Sequence, residues 1–231
     1  MSRRPTALLY LLLIAAGASA HAETYRGPDL GDRPVDFALV LGHSEVRLRY
    51  DDATVHKASV DRLGIALTQY LSPALQGTLA AGYEGMTQSD NPDLAGQSPS
   101  GYYGALALRG TLFSGAHLDT ALSVHYSYHR LEATPTDQDI TLTWHQAWTE
   151  LVAGLRPRPG LRLYAGARYG VIGGDQRLSG AVNRTTGFKQ DRRTGYFGGL
   201  DWGVDRGGHI GVRVSGGQFL GVELSFARRF Q

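Results

Sequence analysis

The residues Phe219-Leu-Gly-Val-Glu-Leu-Ser-Phe-Ala-Arg-Arg-Phe230 alternate apolar side chains with small or polar ones almost to the end of the chain. Successive residues of a β-strand point to opposite faces, so this stretch has two unlike faces. The apolar face carries Leu220, Val222, Leu224, Phe226 and Phe230. The other face carries Gly221, Glu223, Ser225 and Ala227. A strand of this kind is typical of a wall between lipid and a polar interior.

The other end of the chain has the pattern of a secretory signal peptide. Arg3 and Arg4 precede the apolar run Ala7–Ala16, and small residues at positions 18, 20 and 22 provide two cleavage sites. The apolar run is too short to span a bilayer as a helix. We therefore predict that residues 1–22 are a signal peptide and leave them out of the fold.

Composition limits the class of protein. The formal charge of +2 falls to zero without Arg3 and Arg4, because residues 1–22 contain no acid, and a nucleic-acid partner then has no electrostatic support. The chain contains no cysteine, which excludes disulfides, thiolate metal sites and a lipid-anchor cysteine. It is rich in glycine (31) and tyrosine (12). This composition suits a membrane barrel, in which only alternate residues are apolar and glycine lets the strands coil and close.

Alternation of period two recurs along the rest of the chain and predicts a series of strands. Each strand is expected to turn its apolar set outward. The outward sets are Val46, Leu48 and Tyr50; Leu63, Ile65 and Leu67; Leu75, Leu79 and Tyr83; Tyr102, Leu106, Leu108 and Leu112; Leu118, Leu122, Val124, Tyr126 and Tyr128; Leu161, Leu163, Ala165, Ala167 and Tyr169; Tyr196, Leu200, Trp202 and Val204; Ile210, Val212 and Val214; and the apolar face of 219–230. One further strand, within 140–155, has its apolar residues in two phases. Ile140, Leu142 and Trp144 precede the change, and Leu151 and Leu155 follow it, which predicts a β-bulge near residues 145–147.

Short and long connections alternate between these strands. Tight turns are predicted at 72–74, 114–116, 156–160 and 205–208, and longer polar segments at 51–57, 88–100, 132–139 and 176–192. Outer-membrane barrels have short periplasmic turns and longer outside loops. The sequence therefore predicts an all-β fold, a closed antiparallel transmembrane β-barrel of about ten strands. Eight strands are the alternative, which would discard 45–50 and fuse 209–230 into one strand. The barrel spans 45–231, and 23–44 is a periplasmic lead-in or the start of the first strand.

Aromatic residues at the loop ends of the strands predict a girdle at one membrane–water interface. On the assigned register they all point outward. They are Tyr50, Tyr83, Tyr102, Tyr126, Tyr128, Trp144, Tyr169 and Tyr196.

The inward positions carry cations and anions in equal numbers. An ion-selective pore would show an imbalance, whereas matched charges in a narrow barrel tend to pair and fill it. The predicted lumen ion network comprises Arg47, Arg49, Arg62, Glu84, Arg109, Asp119, Glu150, Arg162, Arg168, Asp201, Arg213 and Glu223. A barrel of ten strands is close in size to the border between barrels with a filled interior and barrels with a small channel. A filled barrel and a narrow pore are therefore both open interpretations.

The terminal strand resembles the C-terminal strand of bacterial outer-membrane β-barrels, in which alternate apolar residues and a terminal aromatic form the assembly signal. Gly221, Leu224, Phe226 and Phe230 match that signal, although Phe230 is penultimate here. The resemblance implies a porin-like protein of the cell envelope, in the outer membrane of a Gram-negative bacterium. It also implies contact with outer-membrane lipid and lipopolysaccharide, and with the barrel-assembly machinery during biogenesis.

His125-Tyr-Ser127 resembles the His-x-Ser element of the outer-membrane lipid A deacylases. That resemblance implies an ester hydrolase in which Ser127 is the nucleophile and His125 the base. Those enzymes usually have asparagine after the serine, where this chain has Tyr128, and their site faces the lipid. On the assigned register His125 and Ser127 face the lumen, so an inward polar network is the competing interpretation.

Two other features of the sequence bear on chemistry. His125, His129, His145 and Glu84 lie at similar depth, but their spacing alone does not predict a metal site, and no metal or cofactor is expected. The basic segment 176–192 has the charge to contact lipopolysaccharide phosphates or simply to be a solvated loop. The leading functional prediction is a structural or surface-interaction barrel, or a narrow pore, without enzymatic activity. The alternative is a lipid-modifying hydrolase that uses His125 and Ser127.

Overall fold

The computed structural model describes residues 34–94, 96–135, 137–205 and 207–230. The predicted signal peptide, 1–22, lies outside the described residues. The described chain is all-β, with eleven antiparallel strands and one short 3-10 helix, Pro92–Leu94. The strands are β1 (Val35–Tyr50), β2 (Val55–Ser72), β3 (Leu75–Thr87), β4 (Ser100–Ser114), β5 (Leu118–Ala133), β6 (Gln138–Arg158), β7 (Leu161–Gly180), β8 (Arg184–Gln190), β9 (Thr194–Gly203), β10 (Gly208–Gly216) and β11 (Phe219–Phe230). Within the described ranges, no helix is both long enough and apolar enough to cross a membrane.

The sheet closes on itself, because β1 pairs with both β2 and β11. The β1–β11 register runs from Val35 opposite Phe230 to Val46 opposite Phe219. On its other side β1 pairs with β2 along almost its whole length. Closure satisfies the backbone groups that an edge strand would leave exposed. The predicted closed antiparallel barrel is therefore confirmed.

Strands β8 and β9 together occupy the place of one interrupted strand. Both are antiparallel to β7, β8 along Gly173–Leu178 and β9 along Leu161–Tyr169. β8 also pairs with the last residues of β1, Leu48–Tyr50, beyond the tip of the short β10–β11 hairpin. The ring therefore has ten strands at the end where β1 begins and β11 ends. At the opposite end β8 alone joins β7 to β1, and the ring has eight strands.

The two ends of the barrel differ in their connections. The end where β1 begins and β11 ends, here called the turn end, has the short connections that follow β2, β4, β6 and β9. At the other end, here called the loop end, the longest connection is 88–99 between β3 and β4. Of the segments predicted as long loops, 176–192 is largely strand, whereas 51–57 and 132–139 are only partly strand and still contain the connections between β1 and β2 and between β5 and β6. The predicted tight turns are confirmed. The predicted long loop at 176–192 is wrong, and those at 51–57 and 132–139 are shorter than predicted, because the strands continue past the membrane.

Large apolar side chains cover the outside of the ten-stranded part. Leu106 is 55% exposed and Leu79 is 59% exposed. A continuous belt of such side chains is far larger than the apolar patches of soluble proteins, and acyl chains are the solvent that it fits. The outward sets predicted on β2–β5, β7 and β9–β11 lie on this outer face. These predictions are confirmed.

The outward set predicted for the end of β1 is wrong. Val46, Leu48 and Tyr50 point inward and are buried, whereas Arg47 and Arg49 are exposed on the outside. The cause is the length of the strand. β1 begins at Val35 and crosses the membrane with its first residues, so its last residues lie beyond the belt, where the outer face meets water.

The apolar residues of β6 change faces for the same reason, because part of this strand also lies beyond the belt. Ile140, Leu142 and Trp144 are buried inside the barrel, whereas Leu151 and Leu155 are exposed on the belt. No bulge occurs at 145–147, because β6 pairs with β7 in one register from Gln138 to Leu155. The predicted bulge is therefore wrong. The apolar residues change phase because the environment outside the strand changes from lipid to water.

An apolar core fills the interior at the loop end. Its members are Val46, Leu48, Tyr50, Ala58, Val60, Met86, Leu94, Leu131, Ile140, Leu142, Trp144, Ile172, Leu178 and Phe188. Leu94 lies in the long connection between β3 and β4, so this connection folds over the end of the barrel and joins the core. The hydroxyl of Tyr50 donates to the side-chain oxygens of Gln88 (3.0 Å) and Gln176 (3.1 Å). Burial raises the pKa of Tyr50 to about 12, so this hydroxyl keeps its proton.

Candidate functional site

A cavity of about 280 Å³ lies in the ten-stranded part of the barrel, on the turn-end side of the apolar core. Small inward residues such as Gly42, Ala80, Ala105 and Ala107 leave this space. Polar and aromatic side chains project into it from several strands. They include Arg62, Tyr103, His125, Gln146, Trp148, Glu150, Arg168, Arg213, Phe219 and Glu223.

Glu150 is the centre of one ion cluster beside the cavity. Its Oε1 accepts hydrogen bonds from Arg168 Nε at 2.8 Å, from Arg213 Nη2 at 2.6 Å and from Trp148 Nε1 at 3.1 Å, and Arg168 Nη2 lies 2.6 Å from the same oxygen. The Glu150 side chain is only 3% exposed. Removing a carboxylate from water costs several kcal/mol, which is compensated here by two charged donors and one neutral donor.

Aromatic rings complete this cluster. Arg213 lies over Phe197 at 3.8 Å and Arg168 over Trp148 at 5.3 Å, both within cation–π distance. His125 stacks on Trp148 with ring centroids 4.8 Å apart. His125 Nε2 lies 3.7 Å from Glu150 Oε2, too far for a hydrogen bond, and is a buried nitrogen without a partner among the described residues.

A second ion cluster lies near the turn end. Asp119 pairs with Arg162 (Oδ2–Nη2, 2.7 Å) and with Arg156 (Oδ1–Nη2, 3.1 Å). Arg162 also reaches Asp201 at 3.3 Å.

A third arrangement, on the loop-end side of the cavity, links a hydroxyl, an imidazole and a carboxylate. The oxygen Ser127 Oγ lies 2.7 Å from His129 Nε2, and His129 Nδ1 lies 2.6 Å from Glu84 Oε1. Arg62 binds the other carboxylate oxygen of Glu84 through Nη2 at 3.1 Å and Nε at 3.2 Å. Because Nδ1 faces a carboxylate, it carries the proton of a neutral His129, and Nε2 is left to accept from Ser127.

His129 is held between two aromatic rings. Trp144 stacks on one face with centroids 4.5 Å apart and an interplanar angle of 4°, and Tyr103 stacks on the other at 5.8 Å. Arg62 in turn lies 4.6 Å from the centre of the Tyr103 ring. The imidazole therefore has little freedom to rotate, which fixes both of its hydrogen bonds.

The structure places most members of the predicted lumen network on the inner face of the barrel. Ten lie at inward positions of the strands, namely Arg62, Glu84, Arg109, Asp119, Glu150, Arg162, Arg168, Asp201, Arg213 and Glu223. Arg47 and Arg49 were predicted wrongly, because they lie on the water-exposed outside of β1. His129 and Gln146 were missed, although each occupies an inward position that alternation alone would have assigned.

His125 and Ser127 both face the interior, and the bond of Ser127 goes to His129 and not to His125. The lipid-facing geometry implied by the deacylase resemblance is therefore not formed. His145 lies on the outside and its Nδ1 lies 2.5 Å from the hydroxyl of Tyr126. Among the described residues, no group of three potential ligands converges to hold a metal ion.

The predicted girdle divides into two groups. The members on the outer surface of the barrel are Tyr83, Tyr102, Tyr126, Tyr128, Tyr169 and Tyr196, all exposed. Tyr50 and Trp144 are buried in the apolar core, so their assignment to a girdle was wrong. Both lie on the parts of β1 and β6 that extend beyond the membrane.

The outside of the barrel carries a groove at the tip of the β10–β11 hairpin, here called the hairpin-tip groove. It measures about 380 Å³ and is lined by Glu45, Val46, Arg47, Val55, Lys57, Asp90, Arg192, Gly217, Gln218 and Leu220. Lys57 pairs with Glu45 at 2.8 Å. The Asp191 amide donates to the Arg47 carbonyl at 2.9 Å, which brings the neighbouring Arg192 to the same rim. The belt residue Leu220 forms the floor.

Comparisons with known proteins match the chain to no family, but they find solved structures of similar fold. No family model matches the chain, and no curated protein matches it. Among solved structures it is similar to the outer membrane protease OmpT from Escherichia coli, with 10% identity, a TM-score of 0.45, and coverage of 86% of this chain and 95% of that one. An outer membrane channel from Pseudomonas putida F1 gives 13% identity, a TM-score of 0.46, and coverage of 88% and 100%. The attachment invasion locus protein Ail of Yersinia pestis, in complex with sucrose octasulfate, gives 12% identity, a TM-score of 0.41, and coverage of 86% of this chain and 99% of that one.

These similarities concern the fold and carry no inference about activity. The class of the protein follows from its own architecture, because a closed barrel with an apolar belt is the form in which strands cross the outer membrane. The chain is a small bacterial outer-membrane β-barrel, located in the cell outer membrane.

Proposed function

We propose that the protein is a non-conducting outer-membrane barrel of a Gram-negative bacterium, with a structural and surface-interaction role. The observation that carries the proposal is the apolar core at the loop end. Leu48, Leu131 and Leu142 are at most 2% exposed there and are contributed by three different strands. An interior packed in this way holds no continuous water-filled path for ions, so macromolecular partners can contact only the surfaces of the barrel.

The direction of insertion follows from the general rule for these barrels. Short turns face the periplasm and longer loops face the outside, so the loop end faces the cell exterior. The exposed tyrosines Tyr83, Tyr102 and Tyr196 then mark the outer membrane–water interface. Gly221, Leu224, Phe226 and Phe230 belong to the strand that closes the barrel, which supports their role as the signal for the barrel-assembly machinery.

The partner that best fits the outer surface is lipopolysaccharide. The hairpin-tip groove places Arg47, Lys57 and Arg192 directly beyond the apolar belt, where the phosphates of that lipid lie. Glu45 and Asp90 offset two of these three charges and leave the groove with a net charge of +1. Leu220 on the floor continues into the belt, so one molecule can place its phosphates on the cations and its acyl chains on the strand.

Binding to the groove is tested by charge reversal. The double variant R47E/R192E should bind purified lipopolysaccharide at least about tenfold more weakly in native mass spectrometry, because charge-assisted hydrogen bonds contribute roughly 1.5–3 kcal/mol each. The matched control is R130E, an exposed arginine at the loop end on β5 that is paired with Glu132. Equal binding by all three proteins would overturn the groove as the site.

Conduction is tested separately in planar bilayers. The purified wild-type barrel should insert without giving stable unit conductance. Uniform current steps would support the narrow-pore interpretation and overturn the non-conducting one. The hydrolase that uses His125 as the base of Ser127 is not proposed, because the two side chains neither bond to each other nor face the lipid.

A further inference from the structure

We infer that Ser127, His129 and Glu84 form a serine-hydrolase triad that acts on a small carboxylic ester inside the barrel. Nothing in the proposed surface function requires this activity. The geometry has the two links that such a site needs, a nucleophile bonded to a base and a base bonded to an orienting group. The distances are 2.7 Å for Ser127 Oγ to His129 Nε2 and 2.6 Å for His129 Nδ1 to Glu84 Oε1.

The protonation pattern is the one that activates a serine. Glu84 accepts the Nδ1 proton of His129, so Nε2 presents its lone pair to the hydroxyl of Ser127. Arg62 holds the second oxygen of Glu84, which keeps the carboxylate charged and prevents it from turning. Stacking between Tyr103 and Trp144 keeps the imidazole in the plane that joins the two partners.

Ser127 lies beside the cavity; its own side chain is 2% exposed and does not line the wall, whereas its neighbours do. Its two cross-strand neighbours are Ala105 on β4 and Gln146 on β6, and both line the cavity wall. Ala105 is small and leaves room beside the serine. Gln146 carries an amide donor at this wall, and we assign it to the oxyanion that forms when Ser127 attacks a carbonyl.

The cavity also has unused hydrogen-bonding capacity. His125 Nε2 and Arg213 Nε are buried polar atoms without a partner among the described residues, and both side chains line the cavity. Buried polar groups are nearly always satisfied in folded proteins, and an exception indicates a missing partner. A polar substrate that accepts from Arg213 and bonds to His125 would satisfy both atoms.

The size of the cavity limits the substrate. A volume of about 280 Å³ is just below the range of roughly 300–1,000 Å³ that holds drug-sized ligands. A whole lipid A molecule is therefore excluded, and a short-chain ester of a small alcohol fits. Trp148 and Phe219 provide apolar wall for the acyl part, and the arginine side of the cavity faces the polar part.

The reaction balances without a cofactor. Ser127 Oγ forms a bond to the ester carbonyl carbon while its proton passes to His129 Nε2. The carbon–oxygen bond to the alcohol then breaks, and His129 returns the proton to the departing alcohol. Water attacks the acyl-enzyme with His129 again as base, which releases the carboxylic acid and restores the hydroxyl of Ser127.

The test uses the folded full-length barrel in detergent and a small probe, diisopropyl fluorophosphate. The wild-type protein should gain one covalent adduct, which peptide mass spectrometry should locate on Ser127. The variant S127A should lose the adduct, whereas S123A should keep it, because Ser123 is also buried and inward on β5 but is not part of the triad. Migration of the unheated barrel in gels confirms that each protein is folded.

The positioning role of Glu84 has its own readout. E84Q should slow the labelling by about 10²-fold or more, and its rate should no longer follow the pH profile of the wild-type protein. Absence of an adduct on Ser127 in the folded wild-type barrel would overturn the triad, and so would an adduct that survives in S127A. Neither result would affect the conductance or the lipopolysaccharide tests, since these use other parts of the molecule.

Discussion

Arg213 on β10 reaches across the barrel interior to Glu150 on β6, with Nη2 and Oε1 2.6 Å apart. Two strands, β7 and β9, separate β6 from β10 in the ring. The contact therefore ties distant parts of the wall together through the lumen. Since Arg168 on β7 binds the same oxygen, one carboxylate holds two cations that would otherwise be buried close to each other.

Glu150→Gln should destabilise the barrel by about 3–5 kcal/mol, because it leaves two buried arginines without their counter-ion. The measurement is the free energy of unfolding in urea from lipid vesicles. Glu132→Gln is the matched control, since its pair with Arg130 is more than half exposed and pairs of that kind contribute at most about 1 kcal/mol. Equal effects of the two substitutions would contradict a buried network centred on Glu150.

The apolar core at the loop end should contribute to stability as the core of a soluble protein does. Leu142→Ala is expected to cost about 2–5 kcal/mol, because Leu142 is fully buried and its loss leaves a cavity. Leu106→Ala on the lipid-facing belt should cost less, since acyl chains can fill the space left behind. Unfolding of the two variants in the same vesicles checks the ordering, and a larger loss for Leu106→Ala would contradict the assignment of faces.

Close strand packing at Gly82 gives a further prediction. A Cβ at this position would lie 2.3 Å from the Leu63 carbonyl oxygen and 2.6 Å from the Gly64 Cα, so the backbone itself would have to move. Gly82→Ala should therefore cost about 1–3 kcal/mol. Gly104→Ala is the control, because a Cβ there meets nothing within 4 Å. The unfolding free energies of the two variants should differ accordingly, and equal values would show that β2 and β3 are not packed as described.

Alternation predicted the membrane-crossing half of the barrel but misassigned faces in the half beyond it. The pattern of period two shows which residues share a face, yet it does not show whether lipid or water covers that face. Leu41 points to lipid and Val46 points to the core of the same unbroken strand. A change of apolar phase was present within β1 and β6. Interpreting it as a bulge in β6, and separating 23–44 from the barrel in β1, concealed the change of environment.

The candidate site was partly accessible to prediction for the same reason. Inward polar positions could be assigned strand by strand, which identified Glu150, Arg168 and Arg213 as one network. The partner of each group could not be assigned, because it depends on the register between strands and on the direction of each side chain. Ser127 was therefore linked to His125, its neighbour on one side, whereas the structure bonds it to His129, its neighbour on the other.

The most direct test of a filled loop end is thiol labelling from the aqueous phase, which is simple here because the chain contains no cysteine. Arg47→Cys and Leu48→Cys are adjacent on β1, and only the first side chain points outward to water. With a membrane-impermeant maleimide on intact cells, Arg47→Cys should be labelled readily and Leu48→Cys should stay unlabelled. Labelling of both at similar rates would mean that water fills the loop end of the barrel, and the account would be contradicted.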